Sequence, residues 1–298
     1  MESLVRRRYV KGNAKHLTFT ALEAGTFSLN IPANIGTEQI TSVEFSVDDG
    51  RTWTKIINSS EAVTITTPAI AAGKTVLWKG SGISYGKVGY NSSFSSTGKF
   101  DISGFITSLL YNDNYKRTHI AGSYNFYKLF ASCKIVSARN LILPTNVTEN
   151  CFCFMFYNCS LLTKAPELGQ KIELSAPRCF HTMFGGCTSL EKAPELPSSI
   201  LSSGCYCQMF MNCTALTKAP KLPAKSLITE CYSRMFAGCT NLNEIEALFI
   251  TEPGDGTTQS WLSSVKNKGT FIKNRNATWN LRGDNGIPNG WTIVLTDE

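Results

Sequence analysis

A short motif that returns along the second half of the chain restricts the fold more than any other feature. CFCFMFYNCSLLTKAPEL fills 151–168, CFHTMFGGCTSLEKAPELP 179–197, CYCQMFMNCTALTKAPKLP 205–223 and CYSRMFAGCTNLNEIEAL 231–248. One cysteine per copy marks the phase: Cys133, Cys159, Cys187, Cys213 and Cys239 lie 26, 28, 26 and 26 residues apart. Leu162, Leu190, Leu216 and Leu242 follow three places after their markers, whereas the first copy has Val136 there and is interrupted by Asn140. A period in the twenties with a fixed apolar column implies stacked rungs, because one such unit cannot bury its own apolar face.

Within a rung, Cys205, Met209 and Cys213 stand at i, i+4 and i+8, with Tyr206 and Phe210 as a parallel pair. This spacing predicts one stripe of a short helix. ALTKAPKLP then reads as a short strand, with Leu216, Ala219 and Leu222 inward and Pro223 as its stop. One helix and one strand per rung describe a right-handed leucine-rich-repeat solenoid. Upstream, the alternating sets Phe27, Leu29, Ile31, then Val43, Phe45, Val47, then Val63, Ile65 fit half-buried strands. The expected fold is therefore mixed α/β, an N-terminal β-sandwich followed by a short solenoid with a C-terminal cap. The expected divisions are a basic arm at 1–15, a β-sandwich at 16–85, a linker and N-terminal cap at 86–124, repeats at 125–250 and a C-terminal cap at 251–298. In the last of these, Trp261, Phe271, Trp279 and GIPNGWTIV supply bulk to seal the final rung.

The eleven cysteines need a reading of their own. An odd number argues against a complete set of intrachain disulfides and for a reducing place of synthesis. Pairing along the helix stripe fails on distance, since eight residues at about 1.5 Å rise separate its ends by about 12 Å, beyond the roughly 7 Å limit. A zinc site would need four ligands at about 2.3 Å from one ion, and the C-x-C pairs at 151–153 and 205–207 are two rungs apart. The cysteines are thus expected to be small buried hydrophobes, and no metal or cofactor is expected.

The formal charge of +7 is concentrated at the start, where Arg6, Arg7, Arg8, Lys11 and Lys15 face only Glu2. No apolar stretch follows to make a signal peptide, and no segment approaches the ~18 apolar residues of a membrane span. Lys164, Lys192 and Lys218 form one column of the expected strands and Glu167, Glu195 and Lys221 another. Stacked like charges must face water, so these columns mark either a solvated ladder or a surface for an acidic or polyhydroxylated ligand. SVDDGRTW at 46–53 matches the Asp-box turn, whose aspartate accepts turn amides while Gly50 supplies a positive φ and Trp53 anchors the hairpin. No nucleophile elbow, H-E-x-x-H helix, P-loop or dinucleotide fingerprint is present, and His16, His119 and His181 have no motif context.

The rung C-x-x-x-M-F-x-x-C-T-x-L-x-x-A-P-x-L-P resembles the BspA-like (Treponema-type) leucine-rich repeats of gut Bacteroidetes surface proteins and of their phages and prophages. LTFTALEAGTF at 17–27, VLWKGSG at 76–82, SSFSSTGKFDISG at 92–104 and GIPNGWTI extend the likeness over most of the chain. The resemblance implies adhesins in the bacterial members and virion fibres or appendages in the phage members. The sequence expectation is a non-enzymatic bacteriophage virion protein, of head or tail, assembled in the host cytoplasm. In it Arg6, Arg7, Arg8, Lys11 and Lys15 dock on other virion proteins, while Lys164, Glu167, Lys192, Glu195, Lys218 and Lys221 meet a bacterial surface glycan or protein. A homo-oligomer is expected, without membrane insertion, and the arm lacks the interleaved aromatics of a nucleic-acid binder. The alternatives are a secreted cell-surface adhesin with the same repeats and, more distantly, a glycan-processing enzyme built on the Asp-box domain.

Overall fold

The computed structural model describes residues 15–33, 40–57, 61–87, 89–117, 119–168, 174, 176–196 and 198–296. Its first half is built from two facing sheets. One has six strands in the order β11 (Ile135–Ile142), β10 (Phe100–Phe105), β1 (Leu17–Ala21), β6 (Thr75–Gly82), β3 (Ile40–Ser46), β4 (Thr54–Ile57). The other has three, β5 (Val63–Thr66), β2 (Phe27–Ile31) and β9 (Ser93–Ser96). Alternation explains the pairing, because β2 buries Phe27, Leu29 and Ile31 and leaves Ser28 and Asn30 half-exposed. Between the sheets, the Phe19 ring lies 5.3 Å from Phe27, 4.9 Å from Phe94 and 5.0 Å from Phe100. Strands β9 and β10 fall within 86–124 and belong to these sheets, as does β11 at the start of the repeats.

The mixed α/β reading is overturned: the structure is mostly β, with 29% strand and 3% helix. Among the described residues the one α-helix, α1, is Ser108–Tyr111, outside the repeats. The stretches read as rung helices are chains of four-residue turns. In 204–213 the amides of Gly204, Tyr206, Gln208, Phe210 and Asn212 donate to Thr229, Cys231, Ser233, Met235 and Ala237 of the next rung, at 2.8–3.2 Å. The amides between them, of Cys205, Cys207, Met209, Met211 and Cys213, donate three residues back at 3.1–3.2 Å. An α-helix would send every amide to residue i−4, leaving none to bind a neighbouring rung.

Every fourth residue takes a positive φ to make this alternation, 60° at Gly204, 56° at Gln208 and 61° at Asn212. A repeat of four keeps inward pairs aligned, which is why Cys205 and Tyr206, then Met209 and Phe210, all face the core. Two aromatic columns run through the rungs. Phe130, Phe156, Phe184, Phe210 and Phe236 stack at 5.6–5.7 Å. Phe126, Phe152, Phe180, Tyr206, Tyr232 and Trp261 stack at 5.4–6.3 Å.

The expected rung strands are also corrected. At 164–168 and 192–196 the extended limb is reduced to isolated bridges, Ser137 to Lys164 and Lys164 to Lys192. The Ala-Pro pair of each limb is the physical reason, since proline has no amide to continue a ladder. A parallel sheet resumes where that pair is absent, in β12 (Glu244–Ala247), β13 (Thr270–Lys273) and β14 (Thr292–Leu295). Beyond the last rung Trp261, Phe271, Trp279 and Trp291 are buried, and Trp279 stacks on Phe249 at 4.7 Å.

Candidate ligand-binding site

The extended limbs continue the six-stranded sheet as one surface. Thr20 pairs with Asp101 and Asp101 with Ser137, Ser137 bridges to Lys164, and Lys164 to Lys192. Further on, Lys218 bridges to Glu244, which pairs with Thr270 and then Thr292. The sequence columns of lysine and glutamate therefore lie on this surface.

Their electrostatics divide it in two. Toward the C-terminus the charges neutralise each other: Lys218 Nζ is 2.5 Å from a Glu244 carboxylate oxygen and Lys221 Nζ 2.9 Å from one of Glu246. The hydrogen bond to Glu244 holds the Lys218 ammonium above its ordinary pKa. Toward the N-terminus Lys164, Lys192 and Arg139 have no carboxylate within ion-pair distance among the described residues. These cations, with Glu167, Glu191 and Glu195, line an open cleft of about 500 Å³. Its floor is the two Ala-Pro steps, Ala165–Pro166 and Ala193–Pro194.

The cleft spans the limbs that follow Cys159 and Cys187, the two markers separated by the one long interval of 28 residues. Among the described residues these limbs meet only through the Lys164–Lys192 bridge. At its sandwich end Asp101 is half-buried, and burial raises its carboxyl against the opposing pull of the Ser137 amide and the Lys164 charge. Asp101 Oδ1 has no hydrogen-bond partner. The lysine and glutamate columns were visible in the sequence, but Arg139, Glu191 and Asp101 were not. Arg139 lies in the irregular rung and Asp101 on a strand from another part of the chain.

Of the expected anchoring residues, Arg6, Arg7, Arg8 and Lys11 lie outside the described residues, and Lys15 is exposed at their edge. The Asp-box turn joins β3 to β4. Asp48 accepts the Thr52 amide at 2.9 Å and the Thr52 hydroxyl at 2.6 Å, and Ser46 Oγ donates to it at 2.7 Å. These donors, the Thr52 hydroxyl foremost, hold the Asp48 carboxyl at a pKa of about 2. Three donors from its own turn, two on Oδ1 and one on Oδ2, give the carboxylate a structural role.

All eleven cysteines are free and buried. Burial pushes the thiols of Cys151, Cys153, Cys159, Cys205 and Cys239 up to about 12, so neutral thiols predominate. Cys153 and His181 come together, Sγ to Nδ1 at 3.6 Å, with the Thr182 hydroxyl 3.0 Å from the same nitrogen. Among the described residues no group of three or more His, Cys, Asp or Glu is placed to hold a metal ion. Nor, among them, is any helix long and apolar enough to cross a membrane. Comparison with protein-family models, with curated proteins and with solved structures finds no match to this chain.

Proposed function

We propose that the protein is a non-catalytic attachment component of a bacteriophage particle, which presents its stacked rungs to the bacterial surface. The observation that supports a binding role is the division of the charged surface. Lys218 and Lys221 are neutralised within the fold, whereas Lys164, Lys192 and Arg139 line an open cleft without an ion-pair partner among the described residues. Uncompensated cations beside a concave floor are an arrangement that a ligand can complete. The placement on a virion rests on the resemblance of the rung motif and its flanks, and the basic segment holding Arg6, Arg7, Arg8, Lys11 and Lys15 serves there as the docking arm.

Many copies on one particle convert weak contacts into firm attachment, since tethered sites raise avidity by orders of magnitude. Mass spectrometry of purified particles tests the assignment. Detection at stoichiometric levels supports it, and absence from washed particles ends it. Binding of the fluorescently labelled protein to intact gut Bacteroidetes cells tests the attachment role separately.

A further inference from the structure

We infer that the cleft between limbs 164–168 and 192–196 binds an acidic saccharide with one carboxylate per sugar unit, of the uronic-acid type. The inference rests on the binding role proposed above and names the ligand class of the same surface.

Charge sets the first constraint. Lys164 and Lys192 are bridged neighbours on consecutive rungs, Arg139 lines the cleft with them, and none has a carboxylate within ion-pair distance among the described residues. Bridged on adjacent limbs and both lining the cleft, the two lysines can serve a single anion through charge-assisted hydrogen bonds. The opposite charge sets the second. Glu167, Glu191 and Glu195 line the same cleft. Three carboxylates repel a dense polyanion such as nucleic acid or a heavily sulfated chain, but they accept hydrogen bonds from hydroxyl groups. A ligand must therefore combine one anionic group with several hydroxyl donors. A neutral sugar would leave the cations unanswered, and a polyphosphate would meet the carboxylates.

The floor sets the third. Ala165, Pro166, Ala193 and Pro194 are the apolar part of the lining, and the half-exposed Ala165 gives the less polar face of a pyranose ring a surface to rest on. Among the described residues the limbs here meet only at the Lys164–Lys192 bridge. Polar backbone groups in this gap are available to a hydroxylated guest. Limbs 218–222 and 244–247 are closed instead, by the Lys218–Glu244 and Lys221–Glu246 ion pairs and by the Ala219 and Leu222 amides donating to Glu244 and Glu246.

Titration calorimetry of the full chain decides the matter with five probes: oligogalacturonate, hyaluronate oligomers, heparin, maltoheptaose and a DNA duplex. The expected result is binding of one or both uronate probes, weakened about tenfold by Lys164→Ala or Lys192→Ala, and reduced as salt rises. Lys218→Ala, at a self-neutralised position, should leave that affinity unchanged, and circular dichroism should show each exposed-lysine variant folded. Tighter binding of heparin or DNA than of the uronates overturns the inference, as does equal binding of maltoheptaose, indifference to the two lysine changes, or no binding of either uronate. Cell binding that persists alongside failure of the uronate probes would sink the ligand class and leave the attachment role standing. Loss of both would remove the attachment role as well.

Discussion

The Cys213 thiol donates a hydrogen bond to the Phe184 carbonyl of the preceding rung, with sulfur and oxygen 3.1 Å apart. The bond recurs along the column, from Cys159 to Phe130, Cys187 to Phe156 and Cys239 to Phe210 at 3.0–3.2 Å. Cys133 makes it with Phe94 of β9, at 2.9 Å, and so ties the first rung to the sandwich. The marker cysteine is thus more than filler, because it combines a small apolar volume with a donor aimed along the stack.

Cys213→Ala removes that donor and leaves a small void, so it should destabilise the fold by about 1–2 kcal/mol. Urea unfolding monitored by tryptophan fluorescence measures this. A neutral result would mean that the thiol bonds contribute nothing. The raised thiol pKa values add a second expectation: a maleimide at pH 8 should label the native chain slowly and all eleven cysteines after unfolding.

Gly186 and Gly238 occupy the left-handed position just before their marker cysteines, at φ of 75° and 76°. A Cβ built on either would lie 2.1 Å from the side-chain oxygen of Asn158 or Asn212 in the rung before. Gly186→Ala should therefore cost about 2–3 kcal/mol from backbone strain and collision together. The double variant Asn158→Ala/Gly186→Ala should recover only the collision. Full recovery in a thermal-melt cycle would show that φ is not strained there.

These residues also show how far the sequence could be read. The period, the inward columns and the charged columns were legible because each rung repeats the same chemistry. The turn structure was not, since i, i+4 and i+8 fit both a helix of 3.6 residues per turn and a turn of four. Asn158, Gly186, Asn212 and Gly238 are residues that favour positive φ and carried a signal for the latter. Phe154, Thr182, Gln208 and Arg234 adopt the same conformation four residues earlier and carry none. Their backbone is fixed by hydrogen bonds to the next rung, information that lies 25 or 27 residues away. The open cleft was hidden likewise, since its identity depends on which cations lack partners.

Tyr232 continues the column of Phe126, Phe152 and Phe180, but its buried hydroxyl has no hydrogen-bond partner. Tyr232→Phe removes a desolvated polar atom and keeps the ring stacked between Tyr206 and Trp261. It should raise stability by up to about 1 kcal/mol. A loss of stability on urea unfolding would mean that the hydroxyl is satisfied in solution.

The Asp48 turn should give the sandwich a dependence on acid. The folded pKa of about 2 lies below the ordinary carboxylate value of 3.8. The ionised form therefore contributes stability above pH 3.8, and the contribution fades as pH falls through about 2. Asp48→Ala should melt below the wild type at neutral pH, with the gap closing toward pH 2. A gap of constant size over that window would show that ionisation of this carboxyl does not support the turn.

His181 acts in the opposite range. Burial first, and then the Arg178 charge, depress its pKa from 6.5 to about 4, with Glu230 opposing them. The groups around the ring are Arg178, Cys153, Thr182 and Phe154 together with Glu230. The unfolded chain binds a proton here at pH values where the folded chain does not, so stability rises with pH between about 4 and 6.5. The full contribution is present above pH 6.5 and is lost as pH falls to about 4, a change on the order of 2 kcal/mol given that some solvent reaches the ring. His181→Phe keeps an aromatic ring against Phe154, now 5.3 Å from the imidazole, and removes the titration. Melting curves recorded across this window should fall with acid in the wild type and flatten in the variant. Parallel curves would mean that the imidazole titrates in the folded chain much as it does in the unfolded one, and that the stacked rungs do not exclude its proton.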